Sequence, residues 1–195
     1  MKLKTLAAAL VALTLTFAAP RPAEAKLFEI WGSGLIGGGW GKGKTDKDFY
    51  QHASGGAAGF EVGLKILFIG VIVDYLHFFG GTSRADIMTF NLGGDWAIKI
   101  AKWFHIIIRV QGGYYYGILP DDNSVEVSET NTRGVGAKGG IGVRFNFLKV
   151  LSVGITPTVG YHYFFGGAHQ SILDNNSHGV DIHALGYLRL GFGFL

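Results

Sequence analysis

Histidine offers this chain its most versatile chemistry, because imidazole titrates near neutrality and ligates metals. There are seven histidines, and His52, His77, His169 and His178 fall in or beside polar segments that would gather at one end of the molecule. None of them forms the i, i+2 or i, i+4 pair that presets a metal geometry, so the expectation is no metal and no cofactor. His169, Ser171 and Asp174 bring base, nucleophile and acid types into one short segment, and His178 lies beside Ser177. Such sets perform acyl hydrolysis, but geometry rather than closeness in sequence defines a triad. Polar loop and interface roles are the simpler expectation. Gly37-Gly38-Gly39 and Gly139-Gly140 lack the Lys-Ser/Thr and the βα unit of a phosphate cradle. Cysteine is absent, which excludes disulfide staples and thiolate metal sites.

A second group of chemically able residues is spread evenly along the chain. Glu29, Glu61, Asp74, Asp95 and Asp181 are matched in number by Lys65, Arg109, Lys138, Arg144 and Arg189. Each sits on the polar side of a segment whose apolar residues recur at every second position, the period of a β-strand. In 180–194 the even positions run Val180, Ile182, Ala184, Gly186, Leu188, Leu190, Phe192, Phe194, while Asp181, His183 and Arg189 fall on the odd ones. The same alternation marks 60–66, 71–75, 90–98, 106–116, 135–145 and 151–165, and glycines blur it in roughly 27–40. Eight strands follow, of about the 9–11 residues that cross a bilayer at a tilt. Pro157 removes a ladder donor inside the seventh strand and predicts a bulge or local irregularity there.

Connections alternate as well. Long polar segments at 41–54, 79–88, 117–133 and 166–178 separate the strands of each hairpin, and short turns near 67–70, 99–104 and 147–149 join one hairpin to the next. This is the asymmetry of an up-and-down barrel with its loops at one end.

Residues 1–25 read as a secretory signal peptide: Lys2 and Lys4, an apolar run from Leu6 to Ala19, and the A-x-A site Ala23-Glu24-Ala25. Cleavage removes Lys2, Lys4, Arg21 and Glu24 from 17 basic and 14 acidic residues, leaving 14 and 13. A mature chain so nearly neutral has no field for nucleic acid. Charged residues are only 16% of the chain, too few to coat a water-facing cylinder of eight strands. The apolar faces are therefore assigned to lipid, and the charges, five of each sign, to a filled lumen. The expected lumen network is Glu61, Lys65, Asp74, Asp95, Arg109, Lys138, Arg144, His162, Asp181, His183 and Arg189. Expected aromatic girdles hold Trp40, Tyr114, Tyr116, Tyr161 and Tyr163 at the loop end, with Trp103, Phe104, Phe192 and Phe194 at the turn end.

The last strand, with Leu188, Leu190, Phe192 and Phe194, resembles the C-terminal signal of bacterial outer-membrane proteins, although Leu195 follows the final aromatic. With the leader and eight strands, residues 26–195 resemble the small outer membrane protein β-barrel superfamily, the OmpA-, OmpX- and OmpW-like group. The resemblance implies an all-β, eight-stranded antiparallel transmembrane barrel in a Gram-negative outer membrane, reached through the barrel-assembly machinery. Its surroundings would be the bilayer and lipopolysaccharide. The implied role is structural or surface-interactive through the loops, with no enzymatic activity and an extracellular partner that the residues do not specify. A narrow pore for small solutes is one alternative. A lipid-A-modifying enzyme using His169, Ser171 and Asp174, or His178 and Ser177, is the other.

Overall fold

A computed structural model of the chain describes residues 27–43, 54–79, 85–119, 130–167 and 177–194. Alternating β-branched, aromatic and glycine positions make every one of these segments extended. The strands are β1 (Phe28–Gly43), β2 (Gly55–Ile66), β3 (Ile69–Phe79), β4 (Ala85–Lys99), β5 (Phe104–Leu119), β6 (Thr130–Asn146), β7 (Leu151–Gly167) and β8 (Ser177–Phe194). Each pairs antiparallel with its sequence neighbour, and β1 pairs with β8 to close the barrel. Closure leaves no sheet edge, so every strand has a partner on both sides.

The register sets the tilt. Partners run from Glu29 through Lys65, Gly70, Gly93, Gln111, Lys138, Gly160 and Asp181, and return to β1 at Gly41, twelve residues beyond the start. With strands about 4.8 Å apart and about 3.3 Å per residue, that stagger tilts the strands by roughly 45°. Each residue then climbs about 2.3 Å along the barrel axis.

The strands are longer than the alternation alone predicts. β5, β6, β7 and β8 have 16, 17, 17 and 18 residues, whereas β2 and β3 have 12 and 11. The polar connections are shorter to match, because ladder pairing continues into residues whose composition reads as loop. Asp86 belongs to β4, Gly117 to β5 and His178 to β8. The remaining connections, 44–53, 80–84, 120–129 and 168–176, together with residues 1–26, which include the expected leader 1–25, and Leu195 lie outside the described residues.

At the opposite end the turns are tight. Leu67 takes a left-handed φ of 58° and its N–H donates to the Leu27 carbonyl at 3.0 Å. Residues 100–103 and 147–150 form the other two turns, the latter with Phe147 N–H on the Leu151 carbonyl.

At Pro157 the β6–β7 ladder is interrupted without a bulge: pairing stops at Gly140↔Thr158 and resumes at Val143↔Ile155, the local irregularity expected there. The two stretches keep one register, and Pro157 itself pairs with Ala184. Among the described residues β6 and β7 shift register between Thr132 and Gly134 instead, near the loop end.

Burial alternates with the strands and is inverted relative to a water-soluble barrel. Ile36, Leu92 and Ile141 are 68%, 63% and 66% exposed on the outer face, while Glu61 and Gln111 are 1% exposed inside. Large inward side chains fit because glycine faces them. A Cβ at Gly63 would overlap the Trp31 ring, whereas one at outward Gly32 would meet nothing. Gly63→Ala should therefore destabilise the barrel by about 1–3 kcal/mol and Gly32→Ala by less than about 0.5 kcal/mol. Urea unfolding in detergent, followed by tryptophan fluorescence, checks the difference.

Candidate functional site

The interior is the most organised part of the molecule. Glu61 on β2, Asp95 on β4, Arg109 on β5 and Arg189 on β8 point inward because each shares the parity of its strand's buried positions. Arg109 grips Asp95 with two parallel bonds, Nε to Oδ1 at 2.7 Å and Nη2 to Oδ2 at 2.8 Å. Its Nη1 lies 2.9 Å from Glu61 Oε2. Arg189 Nη2 donates to Glu61 Oε1 at 2.8 Å and to Asp95 Oδ2 at 3.0 Å, and its Nε donates to Ser33 Oγ at 3.1 Å. Two guanidinium groups and two carboxylates thus form a closed, formally neutral quartet across the bore. The planar fork of arginine suits this geometry, since each group offers several donors in fixed directions.

Trp31 completes the quartet from below. Its indole N–H donates to Glu61 Oε1 at 2.9 Å, and the Arg189 guanidinium lies 5.0 Å from its ring. The Tyr187 ring approaches the same guanidinium at 5.1 Å.

Glu61 and Asp74 are direct cross-strand partners, an arrangement of like charges that would repel if left alone. The two arginines cover Glu61. Lys138 from β6 covers Asp74, with Nζ 2.9 Å from Oδ2, and Asn91 Nδ2 donates to the same oxygen at 3.2 Å. Nearer the turns, Lys65 pairs with Glu29 at 2.6 Å, and His105 Nδ1 meets Asn146 Nδ2 at 2.8 Å. Arg144 is inward and half-buried, with its Nε lacking a hydrogen-bond partner. Nearer the loops, His162 Nδ1 lies 2.5 Å from Asp181 Oδ2, and His183 Nδ1 lies 3.9 Å from Oδ1 of the same carboxylate.

The loop end of the bore is not ionic throughout. Leu35, Leu76, Phe78, Ile87, Tyr115 and Phe164 form a buried apolar cluster there. Phe78 packs 5.5 Å from the His183 ring and Tyr115 4.1 Å from the His162 ring. Alternation read only as far as position 75 misses Leu76 and Phe78, although both share parity with Asp74. The same parity rule would have placed Trp31 inside with Glu29. Between the ionic and apolar tiers a cavity of about 20 Å³ is lined by residues including Asp74, Lys138, Thr156, Thr158, His183 and Tyr187. That is room for about one water.

On the outer face, Trp40, Tyr114, Tyr161 and Tyr163 are exposed and Tyr116 is half-buried toward the loop end. Trp103 and Phe192 are exposed at the turn end, where Phe104 packs 5.8 Å from Trp103 and 5.2 Å from Phe145. Phe194 ends β8, but its side chain lies outside the described residues. Phe28 and Trp40, outward at the two ends of β1, are separated by about 28 Å of axial height at this tilt.

Of the four histidines expected at the loop end, the two that are described, His77 and His178, stand on β3 and β8 and do not meet. His77 on β3 bonds Asp86 Oδ1 at 2.8 Å, and His178 on β8 lies 6.1 Å from the Tyr161 ring. Ser177 opens β8, but its side chain lies outside the described residues. His52, His169, Ser171 and Asp174 lie outside the described residues. Among the described residues no group of three His, Asp or Glu side chains is placed to hold a metal.

No protein-family model and no curated protein matches the chain. Solved structures do. Neisserial surface protein A aligns at a TM-score of 0.56 and 10% identity, over 85% of this chain and 97% of the other. The N-terminal β-barrel domain of Pseudomonas aeruginosa OprF aligns at 0.42 and 10% identity, over 84% and 97%. Ail, the attachment invasion locus protein of Yersinia pestis, aligns at 0.37 and 16% identity, over 82% and 98%. At these identities the likeness is one of fold. The chain has the closed eight-stranded fold of the small outer-membrane β-barrels.

Removing one member of the quartet strands its opposite charges in a desolvated bore. Arg109→Met should cost about 3–5 kcal/mol, and adding Glu61→Gln should restore part of that loss. Denaturant midpoints of the two variants in detergent micelles check both the cost and its recovery.

Proposed function

We propose that this chain is a structural or surface-interaction barrel of a Gram-negative outer membrane, exported by a leader at residues 1–25 that is then cleaved. The observation that carries this reading is the inverted burial: an outer wall of exposed aliphatic and aromatic side chains around a bore holding Glu61, Asp95, Arg109 and Arg189. In water such a wall is an aggregation surface; in a bilayer it is the required one. The spacing of the outward aromatics along the barrel axis matches an apolar band of roughly 25 Å with rings at both headgroup levels. In this reading the bilayer and lipopolysaccharide surround the wall, and the barrel-assembly machinery inserts it.

The quartet also argues against a conducting role. A solute crossing the bore would have to break Arg109–Asp95 and Arg189–Glu61 and then displace the Phe78–Phe164 cluster. The function is therefore assigned to what the rim presents, chiefly the segments expected as loops at 117–133 and 166–178. The acidic residues Asp121, Asp122, Glu126 and Glu129 give the first of these a negative character.

The folded protein should require detergent or lipid to stay soluble and should migrate faster on gels before boiling than after. In planar bilayers it should give no discrete single-channel openings. Detergent-free solubility after leader removal would reject the membrane assignment, and regular unitary currents would reject the closed bore. An unchanged lipid A mass spectrum with and without the protein separates this role from a lipid-A-modifying enzyme.

A further inference from the structure

Inside the bore Lys65 meets Glu29, Lys138 meets Asp74, and Arg109 and Arg189 share Glu61 and Asp95. Arg144 meets no carboxylate. Among the described residues it forms no ion pair, and its Nε is buried without a hydrogen-bond partner. The acids that act on it from a distance, Glu29 and Asp95, are already held by Lys65 and by Arg109 and Arg189. His105 on β5 stands directly across from Arg144, and Lys99 on β4 directly across from His105. All three fall on the inward parity of their strands. Three basic side chains therefore share one ladder row at the turn end of the bore, an arrangement that repels unless an anion joins it. Asn146 Nδ2 donates to His105 Nδ1 at 2.8 Å, so the ring proton of the neutral imidazole sits on Nε2, which is buried and has no acceptor. The row continues from Arg144 through Gly154 to Tyr187, whose hydroxyl lies over Gly154 and also lacks a partner. Lys99 is exposed and His105 and Arg144 are half-buried, so the row opens toward the turns.

We propose that the Lys99–His105–Arg144 row is a phosphate-binding site at the turn-end mouth of the bore. The membrane-spanning reading above supplies only the side it faces, the periplasmic one; the site itself stands on the row. A phosphate group carries close to two negative charges near neutral pH and several acceptor oxygens. It can take bonds from the Arg144 guanidinium, the His105 Nε2–H and the Lys99 ammonium together. A carboxylate brings one charge and two oxygens to the same three donors and leaves the row partly unanswered. A metal cation would be repelled by it. Deeper in the bore stand Glu61 and Asp95, whose carboxylates stop an anion from passing, so the site is a closed-ended cup. The phosphate can belong to a free anion or to a phospholipid headgroup at the mouth, and the recognition chemistry is the same.

The test titrates inorganic phosphate into the full barrel, folded in an uncharged detergent, with chloride holding the ionic strength constant and amide NMR following the strands. The signals of Lys99, His105 and Arg144 should shift together and saturate. Arg144→Gln should weaken phosphate by about tenfold and Lys99→Gln by about threefold, the loss of one half-buried and one exposed charge-assisted contact. Lys102→Gln, in the turn beside the row, should change the affinity by less than about twofold. Heat-shifted gel mobility shows that each variant is folded. Should Arg144→Gln not fold, Arg144→Lys, which keeps the charge and loses the fork, should still weaken phosphate by about threefold. A folded wild type with no saturable shift overturns the site, including the case in which a group outside the described residues already fills the row. Equal losses in Lys102→Gln and Arg144→Gln overturn it too, because they mark a diffuse basic field. Nanodiscs of phosphatidylglycerol separate the sources: signals already shifted and no longer responsive to inorganic phosphate identify a lipid headgroup, and a response like that in detergent identifies the free anion. Protein that stays folded without detergent and still binds phosphate overturns the membrane reading alone.

Discussion

Four charged side chains from β2, β4, β5 and β8 must all be present inside the barrel or none of them can be. Glu61 and Asp95 are tolerable in a closed bore because Arg109 and Arg189 each reach both of them. The strands that carry these groups are not all neighbours: β1 separates β8 from β2, and β3 separates β2 from β4. The quartet therefore ties walls that the backbone ladder alone does not join. Its geometry also sets which positions must be glycine, since Trp31, which donates to Glu61, occupies the space beside Gly63. Buried ion pairs add little net stability compared with apolar packing of the same volume. What this one supplies is a single arrangement: each charge has its partners in only one register of the closed sheet.

The bore then changes character along its length. Near the turns it is held by Glu29–Lys65 and the quartet, in the middle by Asp74 with Lys138 and Asn91, and near the loops by Phe78, Tyr115 and Phe164 around His162, Asp181 and His183. An apolar tier above an ionic one limits the water that reaches the quartet from the loop side. Low local dielectric strengthens the ion pairs and raises the cost of leaving any of them unmade.

Much of this was legible in the residues because a strand has only two faces. Once Val180, Ile182 and Leu188 point one way, Asp181, His183 and Arg189 must point the other, and the structure places them so. Composition was a poorer guide to strand ends. Residues such as Asp86, Gly117 and His178 read as loop, yet ladder hydrogen bonds extend the strands through them. Ending β3 at Tyr75 hid Leu76 and Phe78 and, with them, the apolar tier. Pro157 was readable as a local break: it interrupts the β6–β7 pairing, while its outward position lets the ladder keep one register on either side. Which particular acid meets which base is set by the twelve-residue stagger, and no local pattern encodes that.

Unequal strand lengths have a consequence for the outer mouth. Walking the ladder upward, β2 and β3 stop near the height of Trp40 and Tyr116, whereas β5 to β8 continue several residues further. Among the described residues the ladder is therefore cut obliquely, so that backbone pairing extends farthest on the strands leading into 120–129 and 168–176, which gives those two segments the longest paired stems.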